Sequence, residues 1–200
     1  MEEEVFDRIT TGVAKPKKYK LAIFICGASG TGKSSMRDKF IRDAKIKTSL
    51  VYLNIDNIKE VGREEARVIF NKLIDKSVDE GYSILYDGTC RNKKDVTELM
   101  KKLKSKDYKI IVGMTYTTLP TALKRLEDRR GQYVPETVAR DIYQHMKKNA
   151  EVYMTINYID EMYLYNNEEA SKLIFKRKNK QIDCILPNED FYFDVSKYCD

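Results

Sequence analysis

The chain has 200 residues, 42% of them hydrophobic and 34% charged, with a formal net charge of +6. A chain of this size can hide ~70% of its unfolded surface and is too apolar for disorder, so one domain is expected. No apolar run reaches membrane-spanning length, the acidic opening Met1–Asp7 lacks the apolar core of a secretory signal, and 37 basic against 31 acidic residues read as a solvated surface rather than a duplex-DNA footprint.

Residues 1–18 carry Gly12, Pro16 and the lysines Lys15, Lys17 and Lys18 without a clear period, and read as an N-terminal extension before a single domain over 19–200. Tyr19–Cys26 is an apolar run closed by Gly27, the mark of a strand buried on both faces. A helix over 33–45 follows, then a short strand over Leu50–Asn54. A helix at about 63–80 places Ala66, Ile69, Phe70, Leu73 and Ile74 on one face, with Gly81 as its C-terminal stop. Tyr82–Asp87 is the third strand, 93–106 a helix through Val96, Leu99, Met100 and Leu103, and Lys109–Thr115 the fourth strand. Pro120 sits in the first turn of a helix to about 130, and Pro135 opens the next, with Val138, Ile142 and Met146 inward. A strand at Met162–Tyr165 precedes a hairpin of Lys172–Lys176 and Gln181–Leu186, whose turn Arg177-Lys178-Asn179-Lys180 reads as solvated charge. Strands alternating with helices predict a three-layer α/β fold with a mainly parallel central sheet, helices on both faces and a C-terminal β-hairpin appendage over about 160–200.

Cys26, Cys90, Cys184 and Cys199 lie far apart and form no C-x-x-C pair. That spacing argues against a zinc site and against a disulfide scaffold, and favours a reducing, cytoplasmic setting. His145 is the only histidine, so a Ser-His-Asp triad has little to work with.

Gly27-Ala28-Ser29-Gly30-Thr31-Gly32-Lys33-Ser34 matches G-x-x-x-x-G-K-[ST] without a mismatch. Its glycines let the backbone pass close to phosphate oxygens, successive amides form an anion nest, and the helix start adds its positive dipole end. Lys33 supplies a charge for the β- and γ-phosphates, the Ser34 hydroxyl is a ligand for Mg²⁺, and Ser35 completes the nucleotide-binding stretch. Ligands of open α/β sheets bind beyond the carboxyl ends of the strands. Strand two delivers Asp56 there, placed to take a proton from an acceptor hydroxyl, although Asn57-x-x-Glu60 has the form of a capping box that competes for this role. Strand three delivers Asp87, the carboxylate of a Walker-B-type strand and a second candidate for Mg²⁺, followed by Thr89 and Arg91. Lys124, Arg125, Arg129 and Arg130 precede Gly131. Such a segment suits a lid, at about 125–135, that brings arginines over the transferring phosphoryl group. Tyr133, Tyr143, Tyr153 and Tyr158 read as packing residues.

Four stretches resemble the zeta-toxin and polynucleotide-kinase group of small P-loop kinases: Gly27–Ser34, Asn54-Ile55-Asp56, Asp87-Gly88-Thr89-Cys90-Arg91, and Arg125 through Val134-Pro135. A fifth, Leu164–Asn167 followed by Leu173–Phe175, is similar to a late segment of zeta-like kinases. Two departures stand out: Lys59 where polynucleotide kinases carry an arginine, and Asn166 where zeta-like proteins carry Asp. The resemblance implies ATP and Mg²⁺ as cofactors and transfer of the γ-phosphoryl group to a hydroxyl. Asp56, Lys33, Arg125 and Arg129 would be the catalytic set, and Asp56, Thr89 and Arg91 would face the acceptor. The first choice of acceptor is a small sugar-nucleotide or nucleotide-type compound. The alternatives are the 5′-hydroxyl end of a nucleic acid and an ATP-binding switch with little turnover. An antitoxin-like partner is compatible with the resemblance, but no residue identifies one.

Overall fold

The computed structural model describes residues 1–58, 61–129 and 134–199. In chain order the elements are α1 (Glu2–Thr10), β1 (Lys20–Cys26), α2 (Lys33–Asp43), β2 (Val51–Leu53), a 3₁₀ turn (Ile55–Asn57), α3 (Arg63–Asp79), β3 (Ile84–Gly88), α4 (Lys93–Ser105), β4 (Tyr108–Tyr116), α5 (Leu119–Glu127), α6 (Glu136–Met154), β5 (Glu161–Asn166), β6 (Lys172–Lys178) and β7 (Gln181–Cys184). The strands form one seven-stranded sheet in the order β2-β3-β1-β4-β5-β6-β7. The first five are parallel, and β6 and β7 run antiparallel as a hairpin.

β1 lies at the centre, paired with β3 on one side and β4 on the other. The period-two alternation of a strand sends its residues to two cores. Ala22, Phe24 and Cys26 join α3, α4 and α6 on one face, while Leu21, Ile23 and Ile25 meet Met36 and Phe40 of α2 on the other. Each buried Leu, Ile, Phe or Met side chain among these contributes roughly 1.5–3 kcal/mol. The second face relies on α2, whose buried residues are Met36 and Phe40. Gly113 of β4 makes the close approach work, because a Cβ there would meet the Phe40 ring at 2.8 Å.

Three sequence expectations are corrected. Residues 1–18 are not without regular structure: α1 buries Val5 and Phe6 in the main core, and Phe6 meets Tyr82 edge-on. One nine-residue helix with two anchors is too short to show a period. The C-terminal hairpin turns later than expected, at Asn179-Lys180, where Asn179 takes φ 54°, a conformation asparagine tolerates. Arg177 therefore lies within β6 and is not solvated charge: its guanidinium donates to Met154 O at 2.8 Å and to Ile159 O at 3.3 Å, closing the carbonyl end of α6.

The third correction concerns the cysteines, which pair as Cys26–Cys90 and Cys184–Cys199. Parallel pairing sets Cys26 beside Gly88, and the chain curls back two residues later, with Cys90 at φ 52°. A contact across 64 residues is made by topology, and sequence spacing does not reveal it. The bridges remove cysteine usage as an argument for a reducing compartment. Among the described residues no helix is long and apolar enough to cross a membrane.

Candidate active site

The sheet order places the carboxyl ends of β2, β3 and β1 side by side. The phosphate loop leaves β1 there and enters α2 through Gly32. Gly30 and Gly32 both hold φ 81°, in the left-handed region that side chains resist. Both are also crowded. A Cβ on Gly30 would strike the Ala122 carbonyl oxygen, and one on Gly32 would strike the Asn167 side-chain amide. Thr31 is buried; its hydroxyl donates to Ala28 O at 2.8 Å and lies 2.7 Å from the Thr115 hydroxyl. Ser34 and Ser35 are exposed in the first turn of α2.

The Lys33 ammonium donates to Gly27 O at 3.0 Å and Ala28 O at 3.2 Å, folding back over the mouth of the loop. Burial pushes its pKa below the usual lysine range. Asp87 and then Asp56 pull it back up, and Arg129 pushes it down. Lys33 therefore feels the charges of Asp87, Asp56 and Arg129.

Asp87 is buried at the end of β3, and its Oδ2 accepts the Tyr52 hydroxyl at 2.7 Å. Asn54 links both acids: its amide donates to the Tyr52 hydroxyl at 3.1 Å, and its carbonyl accepts the Asp56 backbone N–H at 2.8 Å. The capping duty at the 3₁₀ turn thus falls to Asn54, and Asp56 is exposed. The capping box suggested for Asn57 and Glu60 lies partly outside the described residues, as does Lys59. Burial, followed by the bond to Asp87, raises the Tyr52 pKa, so the phenol stays neutral and donates. Sequence reading missed Tyr52, which looked like one more aromatic of an apolar strand.

Thr89 and Arg91 follow β3, and α6 carries the loop that bears them. The Tyr153 hydroxyl donates to Cys90 O at 2.8 Å, and Asn149 donates to Arg91 O at 2.7 Å. The Arg91 guanidinium pairs with Asp141 at 3.6 Å.

Arg125 and Arg129, read together from the sequence, have different surroundings. Arg129 is exposed and acts on Lys33. Arg125 lies beside Gly32 and donates to Asn167 O at 2.9 Å and Glu168 O at 2.7 Å. Its other terminal nitrogen is buried with no hydrogen-bond partner among the described residues. It borders a cavity of about 480 Å³ lined by Gly32, Ser35, Lys39, Arg42, Arg125 and Asn167. Residues 130–133 of the expected lid lie outside the described residues. Asn167, which the sequence reading quoted within the zeta-like stretch but gave no role, donates to Thr31 O at 2.8 Å and Gly32 O at 3.3 Å, and so joins the phosphate loop to Arg125 of α5.

Among the described residues no group of three His, Cys, Asp or Glu could hold a metal alone. One serine hydroxyl and one carboxylate at the phosphate site are instead the hard-oxygen set that suits Mg²⁺ shared with phosphates and water.

The zeta toxin family model matches residues 4–180. The chain belongs to the zeta toxin family. It is therefore a P-loop phosphotransferase, an ATP-dependent kinase by family. No curated protein matches it in sequence. Among solved structures it resembles the AvrRxo1-ORF1:-ORF2 complex crystallised with ATP, at TM-score 0.71 and 11% identity, covering 92% of this chain and 68% of that one. It also resembles the PezAT toxin–antitoxin system of Streptococcus pneumoniae, at TM-score 0.63 and 18% identity, covering 86% and 77%. The Pnkp1/Rnl/Hen1 RNA repair complex follows at TM-score 0.53 and 16% identity, covering 68% of this chain and 47% of that one. At such identities these likenesses establish the shared fold.

Proposed function

We propose that this zeta-family kinase moves the γ-phosphoryl group of ATP to a hydroxyl of a small sugar-nucleotide or nucleotide-type acceptor. The observation that carries the reading is the phosphate loop at the carboxyl end of β1, with Gly30 and Gly32 at φ 81° and the Lys33 ammonium on the Gly27 and Ala28 carbonyls, next to buried Asp87 on the adjoining strand β3. The loop amides and Lys33 hold the phosphates. Ser34 and Asp87 would hold Mg²⁺, which when bound neutralises part of the phosphate charge. Asp56 takes the acceptor's proton as the new O–P bond forms; the bond from the γ-phosphorus to the β–γ bridging oxygen breaks, and ADP leaves. Arg129 faces the charge that grows on the equatorial oxygens during transfer. Thr89 and Arg91 border the acceptor. The small acceptor is favoured over a nucleic-acid end because the net charge is only +6 and Arg91 already pairs with Asp141.

The test is γ-labelled ATP offered with UDP-N-acetylglucosamine and, separately, with a 5′-hydroxyl oligonucleotide. Label on the sugar nucleotide with a shallow salt dependence is expected. Label on the oligonucleotide alone, falling steeply with salt as counterion release demands, would replace the acceptor class. ATP binding with label on neither would favour a switch.

A further inference from the structure

We propose that Tyr192 is a positioning residue for the phosphate loop, and that the disulfide-closed tail after β7 exists in part to hold it there. The proposal rests on the kinase reading and adds a component from outside the family match, which ends at residue 180.

Tyr192 is buried, and its hydroxyl accepts the Ala28 N–H at 3.1 Å across 164 residues of chain. Ala28 is the second residue of the loop, and its carbonyl is already shared by the Lys33 ammonium and the Thr31 hydroxyl. One phenol thus fixes the amide of a loop residue whose carbonyl ties down both Thr31 and Lys33. Burial raises its pKa, so it stays protonated throughout the physiological range.

The tail is built to keep that ring in place. Tyr192 packs edge-on against Tyr116 of β4 at 5.2 Å and Tyr143 of α6 at 5.6 Å. Phe191 packs on Tyr116 from the tail side at 5.7 Å. Asn166 donates to Asp190 O at 3.0 Å, fastening the tail to the end of β5. The Cys184–Cys199 bridge closes the segment into a loop. A glycine-rich loop samples many conformations unless it is held, and ATP affinity falls by the fraction of time the loop is out of its binding geometry.

Tyr192→Phe keeps the packing and deletes the bond. Calorimetry with Mg-ATP should show binding weakened roughly 3- to 10-fold, the range for one hydrogen bond, with KM for ATP raised and kcat at saturating ATP unchanged. Tyr143→Phe is the control. It loses an equally buried hydroxyl bond, to Thr117 O at 2.8 Å, in the same aromatic cluster, and should leave ATP affinity as it was. A folded Tyr192→Phe with wild-type affinity overturns the proposal, as does an equal loss in Tyr143→Phe. A wild type that binds no ATP would instead defeat the kinase reading. Amide exchange in the ATP-free wild type needs no variant: the Ala28 amide should exchange more slowly than that of exposed Gly62, and equally fast exchange also overturns the proposal.

Discussion

Glu168 sits just beyond β5 and fastens the start of α5. Its carboxylate accepts from the Thr118 backbone N–H at 2.7 Å, the Thr118 hydroxyl at 2.8 Å, and the hydroxyls of Thr117 and Thr121. Burial alone would raise its pKa, but the bonds from Thr117, Thr121 and Thr118 outweigh it and bring it from 4.5 to about 2. Each pKa unit is worth ~1.36 kcal/mol, so linkage sets a ceiling of ~3.4 kcal/mol. Partial exposure screens the interaction and leaves roughly 1–2 kcal/mol. Because the folded pKa lies below the unfolded one, this stability is fully present above pH ~4.5 and disappears as the pH falls toward ~2. Glu168→Gln should therefore lower Tm at neutral pH by about 2–8 °C for a domain of this size. The gap from wild type should narrow in buffers below pH ~4. Thermal unfolding followed by circular dichroism at both pH values checks this. Equal Tm values at neutral pH, or a gap that does not change with pH, would refute the reasoning.

The two lid arginines should behave differently. Arg129→Ala should cut kcat/KM by at least ~10²-fold, since its target charge develops during transfer. Arg125→Ala should instead weaken ATP binding, since its guanidinium joins the Asn167 and Glu168 carbonyls beside Gly32; steady-state kinetics with ATP as the varied substrate separates the two. The Cys26–Cys90 bridge spans 64 residues, so its loss should destabilise the fold by up to ~4 kcal/mol by the chain-entropy estimate. Urea unfolding of the Cys26→Ala, Cys90→Ala double variant measures that cost, and a thiol titration of denatured, unreduced protein should find no free thiols.

The sequence revealed the parts of the fold that are periodic or punctuated. All five parallel strands and α2 to α6 were legible, because the strands are short apolar runs and most of the helices are amphipathic repeats, several of them punctuated by glycine, aspartate or proline. The G-x-x-x-x-G-K-S loop fixed Lys33, and position at the strand ends suggested Asp56 and Asp87. What stayed hidden depends on contacts between distant segments. Tyr52 looks like a core aromatic until its hydroxyl is seen on Asp87. Asn167 follows Asn166 in the zeta-like stretch with no sign of its role, yet it is Asn167 that reaches the phosphate loop. Arg125 and Arg129, four residues apart, looked like one group, and only the packing of α5 against the loop after β5 parts them. The cysteine pairs were invisible for the same reason: proximity of β1 and β3 is a property of crossover topology, not of spacing.

The central claim is that Asp56 takes the acceptor's proton while Lys33 and Asp87 hold the phosphate end. The most direct test compares wild type with Asp56→Asn, measuring Mg-ATP affinity by calorimetry and γ-phosphoryl transfer to the same acceptor. The amide keeps the shape of the side chain and removes the base, so affinity should stay within about twofold while kcat falls ~10²–10⁴-fold. Transfer at the wild-type rate by Asp56→Asn, or a collapse of ATP binding with turnover retained, would contradict the account.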